Sequence, residues 1–144
     1  MTQTPFVKSL NIAIITALVQ FIDKYPILKE TLNKSKNPSK DWDFFMTIAG
    51  VGSYLSTNRV SEEKHKEILA ELVEYDKQGV EVLYNFIGFI GKNTSNETDL
   101  SAVVGFWVLW NIRGNPPTHE ESSELAPAIG TYIQTVINDL TGEK

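Results

Sequence analysis

The chain has 144 residues, 42% hydrophobic and 22% charged, with no cysteine and a formal net charge of −5. That length supports one domain with a real core, and the composition is that of a soluble globular protein rather than a disordered or fibrous one. The acidic balance excludes a phosphate-tracking nucleic-acid surface. The lack of cysteine excludes disulfides and thiolate chemistry, and fits a reducing, cytoplasmic setting.

Strand-like alternation and internal repeats are both missing, and apolar residues recur at helical spacing throughout. The pattern predicts a single all-α domain over 1–144, built from five to seven helices. The first helix is expected from about Pro5 to Tyr25. On a helical wheel Ser9, Thr16, Gln20 and Asp23 fall in one narrow polar stripe. A core helix with one wet edge has such a stripe, whereas a signal sequence needs none. No uninterrupted apolar run reaches the length of a bilayer crossing, so no membrane span is expected. Residues 1–40 hold six lysines against Asp23 and Glu30, while residues 41–144 hold seven basic and sixteen acidic side chains. The lysine-rich part is expected to lie against acidic helices of its own chain, with a basic arm for an acidic partner as the alternative.

A short helix, "PILKETLN", and a polar loop, "KSKNPSK", follow. The third helix is expected to start near Asp41 as N-cap. Phe44, Ile48, Val51 and Leu55 form its core stripe, opposite Asp43, Thr47, Gly50, Ser53 and Tyr54. Gly50 and Gly52 make a Gly-x-Gly pair with no preceding strand and no correctly placed third glycine. They are better read as small residues that let helices approach.

Ser61 is an N-cap candidate, with Glu62 and Glu63 in the favourable first turn. Ile68, Leu72, Tyr75, Gly79, Val82, Phe86 and Ile90 then keep one helical phase. That phase predicts a single long helix over 62–91, bent at Gly79. Asp76 falls inside its apolar arc, among Leu69, Leu72, Val80 and Leu83, and is expected to be largely buried and paired. The next helix, 99–113, is capped by Thr98 or Asp99 and ends at Arg113, Gly114 and Pro116-Pro117. It is apolar all round, so it is predicted to be the central helix, with Trp107 and Trp110 both in the core. Thr118 and Glu121 form a capping box. The last helix presents Leu125, Ile129, Ile133, Val136, Ile137 and Leu140, with a bend or restart at Pro127.

No catalytic set emerges. Glu62-x-x-His65 has the spacing of di-iron bundles, which need a second such pair. The other histidine is His119, and residue 116 is proline, so neither a metal nor any other cofactor is expected. The favoured expectation is a non-enzymatic interaction or assembly domain. It would self-associate as a homo-oligomer, or meet a protein partner, through Val82, Phe86, Phe89 and Ile90. The second expectation is a small-molecule pocket walled by Trp107 and Trp110, with Asp76, Asn111 and Arg113 as its polar groups.

Overall fold

A computed structural model describes residues 5–57, 60–94 and 99–141. Among these residues seven α-helices follow one another: α1 (Phe6–Lys24), α2 (Pro26–Leu32), α3 (Pro38–Thr57), α4 (Glu62–Tyr75), α5 (Gly79–Asn93), α6 (Leu100–Arg113) and α7 (Ala126–Thr141). A π-helical turn, Glu121–Leu125, leads directly into α7. The described residues contain no strand, so the fold is all-α, as the periodicity predicts.

Local chemistry sets the helix ends. The Ser61 side chain accepts a hydrogen bond from Lys64 N at 3.1 Å, and Asp99 accepts from Ser101 N at 3.0 Å. Thr98, the alternative cap, lies outside the described residues. α3 begins at Pro38, three residues before Asp41, because proline is pre-set for the first helical position. α6 closes on Gly114, whose φ of 82° is the left-handed conformation that glycine tolerates best. Thr118 and Glu121 cap each other: Thr118 N donates to Glu121 Oε1 at 2.7 Å, and Glu121 N donates to Thr118 Oγ1 at 3.2 Å. The Ala126 N–H then reaches back to Glu121 O. This wider turn sits just ahead of Pro127, which has no N–H to give and whose ring would crowd a regular helix.

The long helix expected over 62–91 is two helices. Asp76 takes an extended conformation, φ −159° and ψ 127°, and ends α4. Its carboxylate accepts from Gln78 N at 2.8 Å, and its carbonyl accepts from Gly79 N at 2.9 Å. Aspartate offers the backbone this local alternative to a helix, and glycine restarts the chain easily. The apolar phase continues across the break because both helices face the same core, with Ile68 and Leu72 on one side and Leu83, Phe86 and Ile90 on the other. Gly79 still makes the close contact expected of it. An added Cβ there would meet Leu72 Cγ at 3.0 Å.

The centre of the fold is shared. In α3, all eight residues from Met46 to Ser53 are buried, and the helix packs on α1, α2, α5, α6 and α7. Its small face lets neighbouring helices approach, as the glycine pair predicts: Gly50 lies against Leu10 of α1 and Gly52 against Phe86 of α5. Trp42 is fully buried and donates its indole N–H to Ile14 O at 3.2 Å. α6 is buried from Val103 to Leu109 except at half-buried Phe106, but its last turn opens to water at Trp110. The helix over 99–113 is therefore one of two central helices.

Among the described residues α1 alone is long and apolar enough to cross a membrane by length and composition, and a third of that stretch is buried inside the protein. It is held from both sides. Val7 N donates to a Glu71 carboxylate oxygen of α4 at 3.1 Å, and the Tyr132 hydroxyl of α7 donates to Ala13 O at 2.9 Å.

α6 and α7 touch backbone to backbone at two glycines. A Cβ on Gly105 would overlap the Ala126 carbonyl, and one on Gly130 would overlap the Ser101 carbonyl. Gly130→Ala is expected to destabilise by more than about 3 kcal/mol, since the obstacle is backbone and not a movable side chain. Gly88, with nothing within 4 Å of an added Cβ, gives the control. Gly88→Ala should stabilise by roughly 0.5–1 kcal/mol through helix propensity. Urea unfolding of the two variants beside the wild type measures both.

Candidate functional site

The sequence-predicted site residues do not converge on one place. Asp76 sits in the turn between α4 and α5, half-buried, with its carboxylate spent on that turn. It is no core anchor. Arg113 belongs to a separate cluster. Its Nε lies 3.2 Å from Glu121 Oε1, and one terminal nitrogen donates to Pro116 O at 2.7 Å. Trp107, Trp110 and Asn111 do come together. With Asn85 and Phe89 they line a hollow of about 190 Å³. Within it Trp107 is buried and donates its indole N–H to Asn85 Oδ1 at 3.1 Å. Trp110, expected in the core, is 39% exposed. Asn111 caps its own helix by donating to Trp107 O at 2.8 Å.

The residues expected to form an interface divide in the same way. Phe86 and Ile90 are buried, and Val82 is half-buried against the core. They are core residues, because α5 lays that side on α3 and α6. Phe86 fits against Gly52 and meets the Trp107 ring edge-on at 4.9 Å. Phe89 lies one position around the helix and reaches the surface half-buried.

There it completes an aromatic ledge. The Phe89 and Phe106 rings stack at 6.3 Å and 11°, while Trp110 meets Phe106 edge-on at 5.7 Å and Phe89 edge-on at 6.3 Å. Offset stacking and edge contacts are the favoured arrangements of aromatic rings. Phe89 divides the ledge. On one side is the 190 Å³ hollow. On the other is a hollow of about 310 Å³, lined by Phe89, Asn93, Ala102, Val103, Phe106 and Ser122. Three asparagines rim the ledge, each already engaged: Asn85 and Asn111 as above, and Asn93 donating to Phe89 O at 2.8 Å. Phe106 has no place among the sequence-predicted site residues. Its ring lies 6.3 Å from that of Phe89 across the α5–α6 seam, a neighbourhood that depends on tertiary packing and has no sequence signal of its own.

Two polar clusters hold the scaffold. Asn11 of α1 donates to Asp43 Oδ1, to Thr47 Oγ1 at 3.2 Å and to the Tyr75 hydroxyl at 3.3 Å, which ties α1, α3 and α4. Burial raises the Asp43 carboxyl above its ordinary value despite the hydrogen bonds from Asn11 and Tyr75. Burial, together with the neighbouring Asp43 charge, pushes the Tyr75 hydroxyl up to about 12. The second cluster centres on Glu121, 3% exposed, which accepts from the Thr31 hydroxyl of α2 as well as from Thr118 N and Arg113. Burial opposes its ionisation, but these donors outweigh burial and hold the carboxyl below its ordinary value.

Two hollows of about 500 Å³ or more lie elsewhere. One, about 530 Å³ between α1 and α7, has Phe21, Tyr25 and Tyr132 in its walls with one lysine and one glutamate. The other, about 500 Å³, borders the Arg113–Glu121 pair and carries both signs of charge, with Lys34 and His119 beside Glu30 and Glu120. Neither gathers a set of groups suited to a particular reaction. Among the described residues no three His, Asp or Glu side chains converge as metal ligands would. No family model matches the chain, and neither a curated protein nor a solved structure matches it.

The Glu121 cluster has a pH signature. A carboxyl whose folded value is depressed stabilises fully above its ordinary value and loses that stabilisation as pH falls through the lower, folded value. Glu121→Gln should lower stability at pH 7 by roughly 2 kcal/mol and flatten the loss of stability below pH 4.5, the ordinary glutamate value. Thermal melts from pH 7 to pH 3 read both effects. The two tryptophans should separate as well. Trp107→Ala is expected to cost about 3–5 kcal/mol, and Trp110→Ala under about 1.5 kcal/mol, because its ring is already partly in water.

Proposed function

We infer that this chain is a non-enzymatic protein-interaction domain whose docking face is the aromatic ledge of α5 and α6. One observation carries the reading: three large aromatic side chains, Phe89, Phe106 and Trp110, contact one another at the surface, with Trp110 39% exposed. Contiguous exposed apolar surface of this kind marks binding faces. Tryptophan ringed by polar residues is the usual make-up of an interface hot spot. The asparagine rim supplies polar edges without charge.

A small-molecule site is less well supported. Its proposed anchor, Asp76, is engaged in a turn away from the tryptophans. The two hollows, about 310 and 190 Å³, sit at or below the lower end of the size range of enclosed ligand pockets. They suit two apolar side chains of an extended or helical partner segment, seated on either side of Phe89. The cysteine-free composition suits a cytoplasmic setting.

The test is a selection of displayed peptides against the full chain, repeated against Trp110→Ser. The wild type should enrich peptides carrying two apolar or aromatic anchors. Binding of those peptides should fall at least about tenfold with Trp110→Ser, while its thermal melt stays near that of the wild type. Enrichment of the same peptides on both proteins would sink the reading.

A further inference from the structure

Ile12, Ile15 and Val19 stand in one row on the outer side of α1 and are 53%, 52% and 67% exposed. Spacings of three and four residues line them up on a helix. None of them belongs to the core cluster or packs against it. The row is flanked by opposite charges, exposed Lys8 four residues before Ile12 and exposed Asp23 four residues after Val19. Beside it runs a groove of about 390 Å³ between α1 and α7, whose lining includes Ala13, Ala17, Val136 and Leu140. Leu140 is itself 40% exposed.

The outer members of the row are symmetric, while at its centre Ile15 is mirrored by Thr16. About the midpoint between Ile15 and Thr16, Ile12 mirrors Val19 and Lys8 mirrors Asp23. A second α1, laid antiparallel across the first, therefore sets Ile12 over Val19 of the other copy. It also sets each Lys8 against an Asp23, twice over. Residues 12, 15, 16 and 19 form the four-residue patch at which two helices usually cross.

We propose that two copies of this chain pair through α1, antiparallel, about a two-fold axis that passes between Ile15 and Thr16. Such pairing is isologous and closes on itself, so it stops at a dimer. A lipid surface fits the same face less well. Asp23 would meet anionic headgroups, and the row has none of the aromatic residues that interfacial helices use. Its β-branched side chains have few rotamers to lose and suit a packed helix seam. This surface shares no residue with the α5–α6 ledge, so the two readings stand or fall separately.

Sedimentation equilibrium of the full chain, from low to high micromolar concentration, tests the pairing. The wild type should show a monomer–dimer equilibrium. Ile15→Glu should weaken it at least ~100-fold by placing two like charges at the axis, with the melting temperature kept, because Ile15 is outside the core. Lys8→Glu and Asp23→Lys should each weaken it about tenfold, and the double variant should restore it, since the opposite charges are then exchanged but still paired. A monomer throughout the range would overturn the proposal. So would a dimer that survives Ile15→Glu, or single charge reversals that the double variant fails to rescue. Monomeric protein that sediments with phosphatidylserine vesicles, and loses that binding with Ile15→Glu, would overturn it in favour of a lipid surface.

Discussion

The α6–α7 contact rests on two side chains that are not there. Gly105 admits the Ala126 backbone and Gly130 admits the Ser101 backbone, so the two helices lie closer than any pair with Cβ atoms at those positions could. Close packing leaves no slack elsewhere. With α7 seated this deeply, Tyr132 can reach Ala13 of α1, and the Glu121 turn can reach Thr31 of α2. α6 is thereby fixed with its Phe106 and Trp110 edge turned toward Phe89. The ledge is exposed because the opposite side of α6 is used up by α7.

Two polar clusters, each reaching into the interior, act as fasteners between elements distant in sequence. Asn11, Asp43, Thr47 and Tyr75 join three helices, and Thr31, Arg113, Thr118 and Glu121 join α2, the end of α6 and the start of α7. A buried carboxylate with three kinds of donor is stable in place, and removing one donor leaves its charge less fully compensated. Such clusters specify one arrangement of helices over others with equal apolar burial.

Much of this was legible from local chemistry. The Ser61, Asp99 and Thr118–Glu121 caps, the Gly114 stop and the effect of Pro127 all depend on neighbours within five residues, and all appear as such chemistry dictates. What the sequence hid depends on tertiary distance. The apolar phase from Ile68 to Ile90 looks like one helix because α4 and α5 share a core, and only the side-chain bond from Asp76 to Gln78 N reveals the break. Apolar faces likewise do not state what covers them. The wheel of 99–113 could not say that Trp107 meets Phe86 while Trp110 meets water, and the stripe of α3 could not say that both of its faces are covered at Met46 to Ser53. The polar stripe of α1 was visible, but the row of isoleucines and valine beside it was hidden in an otherwise apolar helix.

The position of α1 has a bearing on how the chain comes to its shape. Two of its partners are remote: Glu71 lies 64 residues beyond Val7, and Tyr132 lies 119 residues beyond Ala13. During synthesis this apolar helix is made well before α4 and long before α7. α3 can cover one side of it early, with Gly50 against Leu10 and Trp42 on Ile14 O, but the side that meets α7 stays bare while more than a hundred residues follow. Contacts of such sequence separation slow folding, and transiently bare apolar segments are where nascent chains aggregate or recruit chaperones. The helix that carries the exposed Ile12, Ile15 and Val19 row in the finished protein thus also waits longest for its last cover on the ribosome.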